Sequence, residues 1–324
     1  MANKPQCVFL DRDSIDCRDM DFSAIEQLTD FNSHARCAAD EVVSKIGSAD
    51  IVIVNKVNLR REHFTQLPGL KLVCIIATGT NNVDLEAATE FGITVCNVSD
   101  YGAPAVSQHV FLLILSLITN FLPFQRDIRK GAWQNQDQFC LLTHPMQELK
   151  GKTLGLIGYG HIARAVETIA LAFGMKVLIA QSLVPGADQK PGRHPLEDLL
   201  KECDVISLHC PLSDYSRDLF TIREFKRMKY SALIINTARG GIIHEADLLQ
   251  ALEQGEIAGA GIDCLVQEPP AADNPMITAD HLPQLIVTPH NAWGTAEARQ
   301  RLVDGTAANI QGFQSGSVQN QVNR

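Results

Sequence analysis

Short runs of Val, Ile and Leu punctuate the chain from end to end. In its first third they are Cys7–Leu10, Ile51–Val54, Leu72–Ala77 and Ile93–Cys96. Further on come Thr153–Ile157, Lys176–Ala180, Val205–His209, Ala232–Asn236, Ala258–Ile262 and Leu285–Thr288. None alternates cleanly between apolar and polar residues, which is the pattern of parallel strands covered on both faces. The segments between them have helical periodicity, so the chain reads as α/β. The early runs end in Asp11, Asn55, Thr78-Gly79 and Asn97, polar or small residues suited to a strand-to-loop transition.

Two strand–helix arrays follow one another, separated by a different texture. Ala103 to Leu122 is apolar on nearly all sides and predicts one buried helix. Its longest apolar run, Val110 to Ile118, contains Ser116 and is too short for a bilayer span. Pro123 to Lys150 is polar, contains Trp133 and has no strong period, so a functional or interfacial loop is expected there. A boundary falls near Ser99–Gly102, and the residues after Trp293 predict one more amphipathic helix.

Composition narrows the classes. A length of 324 residues suits two domains. With 28 Lys and Arg against 37 Asp and Glu, and no basic run, a nucleic-acid or membrane-surface partner is not expected. Nine cysteines without a C-x-x-C pair suggest neither a disulfide framework nor a zinc module. The N-terminal residues lack the apolar core of a secretory signal, and a cytoplasmic, reducing location is expected. No G-x-S-x-G or Walker sequence is present, and nothing points to a metal requirement.

Gly158-Tyr159-Gly160-His161-Ile162-Ala163 is a G-x-G-x-x-A sequence between an expected strand and an expected helix. In that βαβ setting Gly158 allows the tight turn and Gly160 lets backbone approach a pyrophosphate. The helix start at His161 and Ile162 then offers N–H groups and positive dipole to the anion. The acidic residue expected some twenty positions on is missing. The second strand ends Ala180-Gln181-Ser182, and Gln181 can bind a ribose hydroxyl without repelling a 2′-phosphate. Lys190 and Arg193 lie further on. NAD(H) is favoured and NADP(H) stays open.

Ligands of open α/β sheets bind beyond the carboxyl ends of the strands, which singles out His209, Thr237-Ala238-Arg239, Asp263 and His290. Arg239 stands before two glycines, where a guanidinium can grip a carboxylate bidentately. His290 follows Thr288-Pro289. Glu268 precedes Pro269-Pro270; if it contacts His290, it orients the ring and favours the imidazolium. Taken singly, each of these residues also fits a structural role. His244-Glu245 reads as a surface helix start, and His109 as a packed or interfacial residue.

Together, Gly158–Ala163, Leu208-His209-Cys210-Pro211-Leu212, Asn236–Gly241, Gly261-Ile262-Asp263, Glu268-Pro269 and Pro289-His290 resemble the D-isomer-specific 2-hydroxyacid dehydrogenases over nearly the whole chain. Thr78–Asp84 and His290–Gly294 are most like the glycerate dehydrogenase/hydroxypyruvate reductase branch. The resemblance implies two Rossmann-like, doubly wound parallel-sheet domains with an active-site cleft between them. Residues 1–99 with 294–324 would form the substrate domain and 100–293 the dinucleotide domain. A homodimer through 103–150 is implied as well.

By the same resemblance Arg239, Glu268 and His290 are the catalytic set. Arg239 binds and polarises a 2-keto acid, His290 protonates its oxygen, and Glu268 holds His290 protonated. Asp263 would bond the nicotinamide carboxamide, with Cys210, Thr237, Ala238 and Arg239 along the dinucleotide beside Gly158, Gly160, His161, Ile162 and Gln181. Asn55, Thr78, Gly79 and Arg239 would meet the substrate, the backbone at Thr78-Gly79 taking its carboxylate. The expected reaction interconverts D-glycerate and hydroxypyruvate, with glyoxylate also reduced. Another 2-keto acid, or a dinucleotide-sensing co-repressor of the same fold, are the alternatives the sequence leaves open.

Overall fold

A computed structural model describes residues 4–187 and 190–323. The chain forms two compact units, residues up to Gly102 together with Gly294 onward, and residues Ala103–Trp293. Each is a parallel α/β sheet.

The first unit has β1 (Gln6–Phe9), β2 (Asp30–Ser33), β3 (Ile51–Val54), β4 (Leu72–Ile75) and β5 (Thr94–Cys96), in the order β2-β1-β3-β4-β5. β3 and β4 are buried at every position, so their unbroken apolar runs follow from coverage on both faces. β2 is a strand the hydrophobic pattern misses. Its sequence DFNS is at best half-buried, because it is an edge strand paired only with β1. The order reverses between β1 and β3, and there the Asp11 carboxylate accepts from the N–H groups of Asn55 (2.9 Å), Lys56 (2.7 Å) and Val57 (3.3 Å). The helix Ala296–Gln314 completes this unit and is capped by Thr295, whose Oγ1 accepts from Ala298 N at 3.2 Å.

The second unit contains β6 (Thr153–Ile157), β7 (Lys176–Ala180), β8 (Arg193–His194), β9 (Val205–Leu208), β10 (Leu233–Asn236), β11 (Gly259–Ile262) and β12 (Leu285–Val287). Their order is β12-β11-β10-β9-β6-β7-β8, so the direction of winding switches between β6 and β9. β8 is a two-residue polar edge strand that the sequence pattern does not reveal. The helix Ala103–Ile118 lies against the sheet with Leu113 beside Gly261, where a Cβ would sit 2.9 Å from the Leu113 Cβ.

One expectation about this region is corrected. The helix stops at Ile118, and Asn120 (φ 51°) turns the chain into a second helix, Phe121–Arg129. Residues 123–129 are therefore helical rather than loop. Pro123 is tolerated because it stands in the first turn, where backbone N–H groups have no intrahelical partner. Among the described residues, no single helix is long and apolar enough to cross a membrane.

Candidate active site

The switch between β6 and β9 places the glycine loop directly against the end of β9. His209 N donates to Ile157 O at 2.7 Å, and Gly158 follows at φ 83°. A Cβ on Gly158 would lie 2.5 Å from Cys210 N and 2.6 Å from His209 C, so only glycine fits both the conformation and the space. Gly160 differs, because nothing lies within 4 Å of where its Cβ would stand. The helix His161–Ala172 starts there without a side-chain cap. An open, uncapped helix start behind a glycine turn suits a pyrophosphate.

The end of β7 has a feature visible only in three dimensions. β8 pairs beside it, with Ile179 opposite Arg193 and Ala180 opposite His194. Gln181 N donates to His194 O at 2.8 Å, and Arg193 Nη1 to Ala180 O at 3.3 Å. The Arg193 guanidinium lies 4.7 Å from the ring centroid of Tyr159, the middle residue of the glycine loop, and that of Arg164 lies 5.4 Å from it. Tyr159 OH is anchored on Glu167. Two cationic groups thus lie near the Tyr159 ring of the loop, and one of them, Arg193, reaches the end of β7 next to Gln181.

β10, β11 and β12 deliver the other candidates at neighbouring strand ends, with Asn236 paired to Ile262 and Ile262 to Val287. Asn236, buried, folds its own turn: its Oδ1 accepts from Ala238 N (3.0 Å) and its Nδ2 donates to Arg239 O (2.9 Å). That turn leaves Arg239 exposed, with Nη1 on Ala238 O at 2.7 Å and no ion pair among the described residues. Thr237 is buried, and its Oγ1 is the one buried side-chain polar atom among the described residues without a hydrogen-bond partner. Such an orphan is costly unless a ligand completes it. The open start at Gly160 and the orphan at Thr237 together fit a dinucleotide.

Glu268 and His290 come together, as the sequence allowed. His290 Nδ1 and Glu268 Oε2 are 2.6 Å apart, while Glu268 Oε1 accepts from Leu265 N at 2.8 Å. Their side chains are 30% and 35% exposed, so the pair reaches solvent and leaves the Nε2 edge of the ring to act on a ligand. His290 sits at φ 51°, a conformation uncommon outside glycine. Its N–H bonds Thr288 O at 3.0 Å, and its carbonyl accepts from Trp293 Nε1 at 2.9 Å.

Asp263 has a larger role in this arrangement than the sequence suggested. It is 1% exposed, and its carboxylate takes the Thr288 hydroxyl, Asn291 N (3.1 Å) and Ala292 N (3.0 Å). These donors belong to the loop that carries His290. His109, from the long helix, bonds Thr288 Oγ1 at 3.0 Å and so joins the same network, its pKa lowered by burial. Sequence reasoning missed Trp293, Thr288 and Asn236 as supports of this site, because each acts through a hydrogen bond to distant or backbone atoms.

In the first unit Asn55 is buried, its Nδ2 donating to Ser14 Oγ at 3.0 Å. Thr78 Oγ1 donates to Val98 O (3.2 Å) and Thr78 O accepts from Asn97 Nδ2 (2.8 Å). The backbone N–H groups of Thr78 and Gly79 have no acceptor among the described residues. His209 meets Ser207 Oγ through Nε2 at 2.9 Å, and burial pushes its pKa down to about 4.

Residues 111–292 match the family described as D-isomer specific 2-hydroxyacid dehydrogenase, NAD binding domain. Over 97% of this chain and 98% of the relative, it is 42% identical to a glycerate dehydrogenase of Methylorubrum extorquens. It is 37% identical to a hydroxypyruvate reductase of Blautia hydrogenotrophica, over 98% and 99% of the two chains. Among solved structures, an acyclic imino acid reductase in complex with NADPH and D-Arg superposes with a TM-score of 0.83 at 28% identity, over 98% of this chain and all of the other.

Proposed function

The chain belongs to the D-isomer-specific 2-hydroxyacid dehydrogenases, and from that premise we propose that it reduces hydroxypyruvate to D-glycerate, with glyoxylate as a second substrate. The Glu268–His290 pair beside the Arg239 turn carries this reading. Arg239, exposed and without an acidic partner among the described residues, receives the keto acid through its planar donor fork. A nicotinamide dinucleotide, when bound, would supply the hydride. His290 gives its proton to the keto oxygen as negative charge develops there, and Glu268 holds the ring in place and balances its charge. Asp263 keeps the His290 loop in the required conformation through its three donors. The amides of Thr78 and Gly79, without acceptors among the described residues, support their assignment to the substrate carboxylate.

For the cofactor, Gly158, Gly160, His161 and Ile162 would hold the pyrophosphate, with Cys210, Thr237 and Ala238 along the dinucleotide. The Arg193 guanidinium beside the end of β7, with that of Arg164 near the same Tyr159 ring, supports NADPH as the preferred reductant, a shift from the NAD(H) that the bare sequence favours. We assign the dimer contact to 103–150, where Leu112, Phe121, Leu122, Phe139, Leu142 and Met146 are all exposed. Sedimentation showing a monomer at micromolar concentration would overturn that assignment. None of the nine cysteines, all of them described residues, is in a disulfide, which supports a reducing, cytoplasmic location.

The decisive experiment compares initial rates of hydroxypyruvate reduction with NADH and NADPH. Turnover with a higher kcat/KM for NADPH is expected. Absence of turnover with both, while the dinucleotides bind, would overturn the substrate assignment.

A further inference from the structure

The strand ends that carry Glu268 and His290 also hold a thiol. Cys264, directly after Asp263, is 2% exposed. One donor atom from each of Cys264, Glu268 and His290 lies within 4.8 Å of the other two. Sulfur, carboxylate oxygen and imidazole nitrogen are the three donor types that zinc accepts together. With tetrahedral bonds of about 2.0–2.3 Å, neighbouring donors on zinc stand roughly 3.3–3.8 Å apart. Side-chain rotations of about one ångström therefore bring all three onto one ion. Glu268 and His290 reach solvent, so an ion can enter past them and meet the thiol at the base of the site. Magnesium and calcium prefer all-oxygen shells and do not match this donor set.

We propose that Cys264, Glu268 and His290 form an inhibitory site for a soft or borderline divalent cation, with zinc as the fitting biological ion. Coordination releases the thiol proton to solvent, and no electron transfer is involved. The cation replaces the Glu268–His290 hydrogen bond and takes the imidazole out of proton donation. Metal binding itself is independent of the proposed reaction, and only its inhibitory consequence rests on that reading.

The test titrates metal-stripped protein with Cd²⁺, following the ultraviolet thiolate-to-metal charge-transfer band, and with Zn²⁺ in competition with a chromophoric chelator. Hydroxypyruvate reduction is measured in parallel. Cys264→Val fills similar volume without a ligand, and Cys264→Ala serves if valine is not accommodated. The native protein should bind one cation per chain at this site and lose its rate over the same concentration range, recovering when chelator is added. The valine variant should turn over normally, lose that component of the Cd²⁺ band and bind Zn²⁺ at least tenfold more weakly. Equal zinc affinity and equal inhibition of the native and variant proteins would overturn the proposal, as would a native protein showing no Cys264-dependent band. If hydroxypyruvate is not reduced even without metal, the reaction assignment fails and the titration alone decides the site.

Discussion

Gly240 tests whether the Arg239 turn and the Glu268 loop work as one unit. A Cβ at this position would stand 2.0 Å from Leu265 O and 2.2 Å from Leu265 C, whereas real Cβ atoms essentially never approach closer than 3.0 Å. In Gly240→Ala the two loops must separate by about one ångström, since the obstacle is backbone and cannot rotate away. Leu265 N is the donor that fixes Glu268 Oε1, and the other oxygen of Glu268 orients His290. The displacement thus reaches His290, the proposed proton donor, through two short bonds. Misplacement on that scale lowers kcat by ~10²-fold, and overpacking costs about 1–3 kcal/mol. At roughly 2–4 °C per kcal/mol for a unit of this size, Tm falls by about 2–12 °C. Steady-state rates, dinucleotide Kd by fluorescence and a melting curve suffice. Kd should change less than kcat, because the glycine loop lies at a different strand end and only the Thr237–Ala238 side of the dinucleotide adjoins Gly240. Gly255→Ala is the control, since it caps a helix at φ 70° with nothing within 4 Å and should lose stability without losing kcat. A Gly240→Ala enzyme with kcat within threefold of native would refute the coupling.

The remaining expectations are simpler. His290→Ala should lower kcat by ~10²–10⁴-fold with dinucleotide Kd preserved; unchanged turnover would remove it as the acid. Arg193→Ala should weaken NADPH binding by about 10–100-fold, the value of a charge-assisted bond, and leave NADH within twofold; equal losses for both would dissociate Arg193 from the 2′-phosphate. His209 has a folded pKa near 4, below the ~6.5 of an unfolded chain, so the unfolded state takes up the proton first. Its contribution to stability is complete above about pH 6.5 and declines by roughly 1.4 kcal/mol per pH unit below it, down to pH 4. Urea unfolding of His209→Asn should show a correspondingly shallower acid dependence, and an unaltered slope would contradict the burial argument.

Much of this molecule is legible without coordinates. The unbroken apolar runs announce parallel strands, because a strand covered on both faces needs no alternation. The glycine spacing points to the turn proposed for the phosphates, and the polar residues closing the later runs point to the candidate site, because parallel sheets present ligands at their carboxyl ends. Arg239, Glu268 and His290 were accessible in this way.

What the linear pattern could not supply depends on neighbours distant in sequence. β2 and β8 escape it because their short polar sequences, DFNS and RH, are at best half-buried and carry no apolar run, and the helix at 121–129 escapes it because Pro123 masks a tolerated first-turn position. Only folding sets Arg193 beside Gln181, leaves Thr237 Oγ1 without a partner among the described residues and gathers Thr288, Asn291 and Ala292 onto Asp263. Residue type and local spacing determine which chemistry is available. Which donors and acceptors meet, and which are left for a ligand, is decided by the order of strands in the sheet, a property of the packed structure.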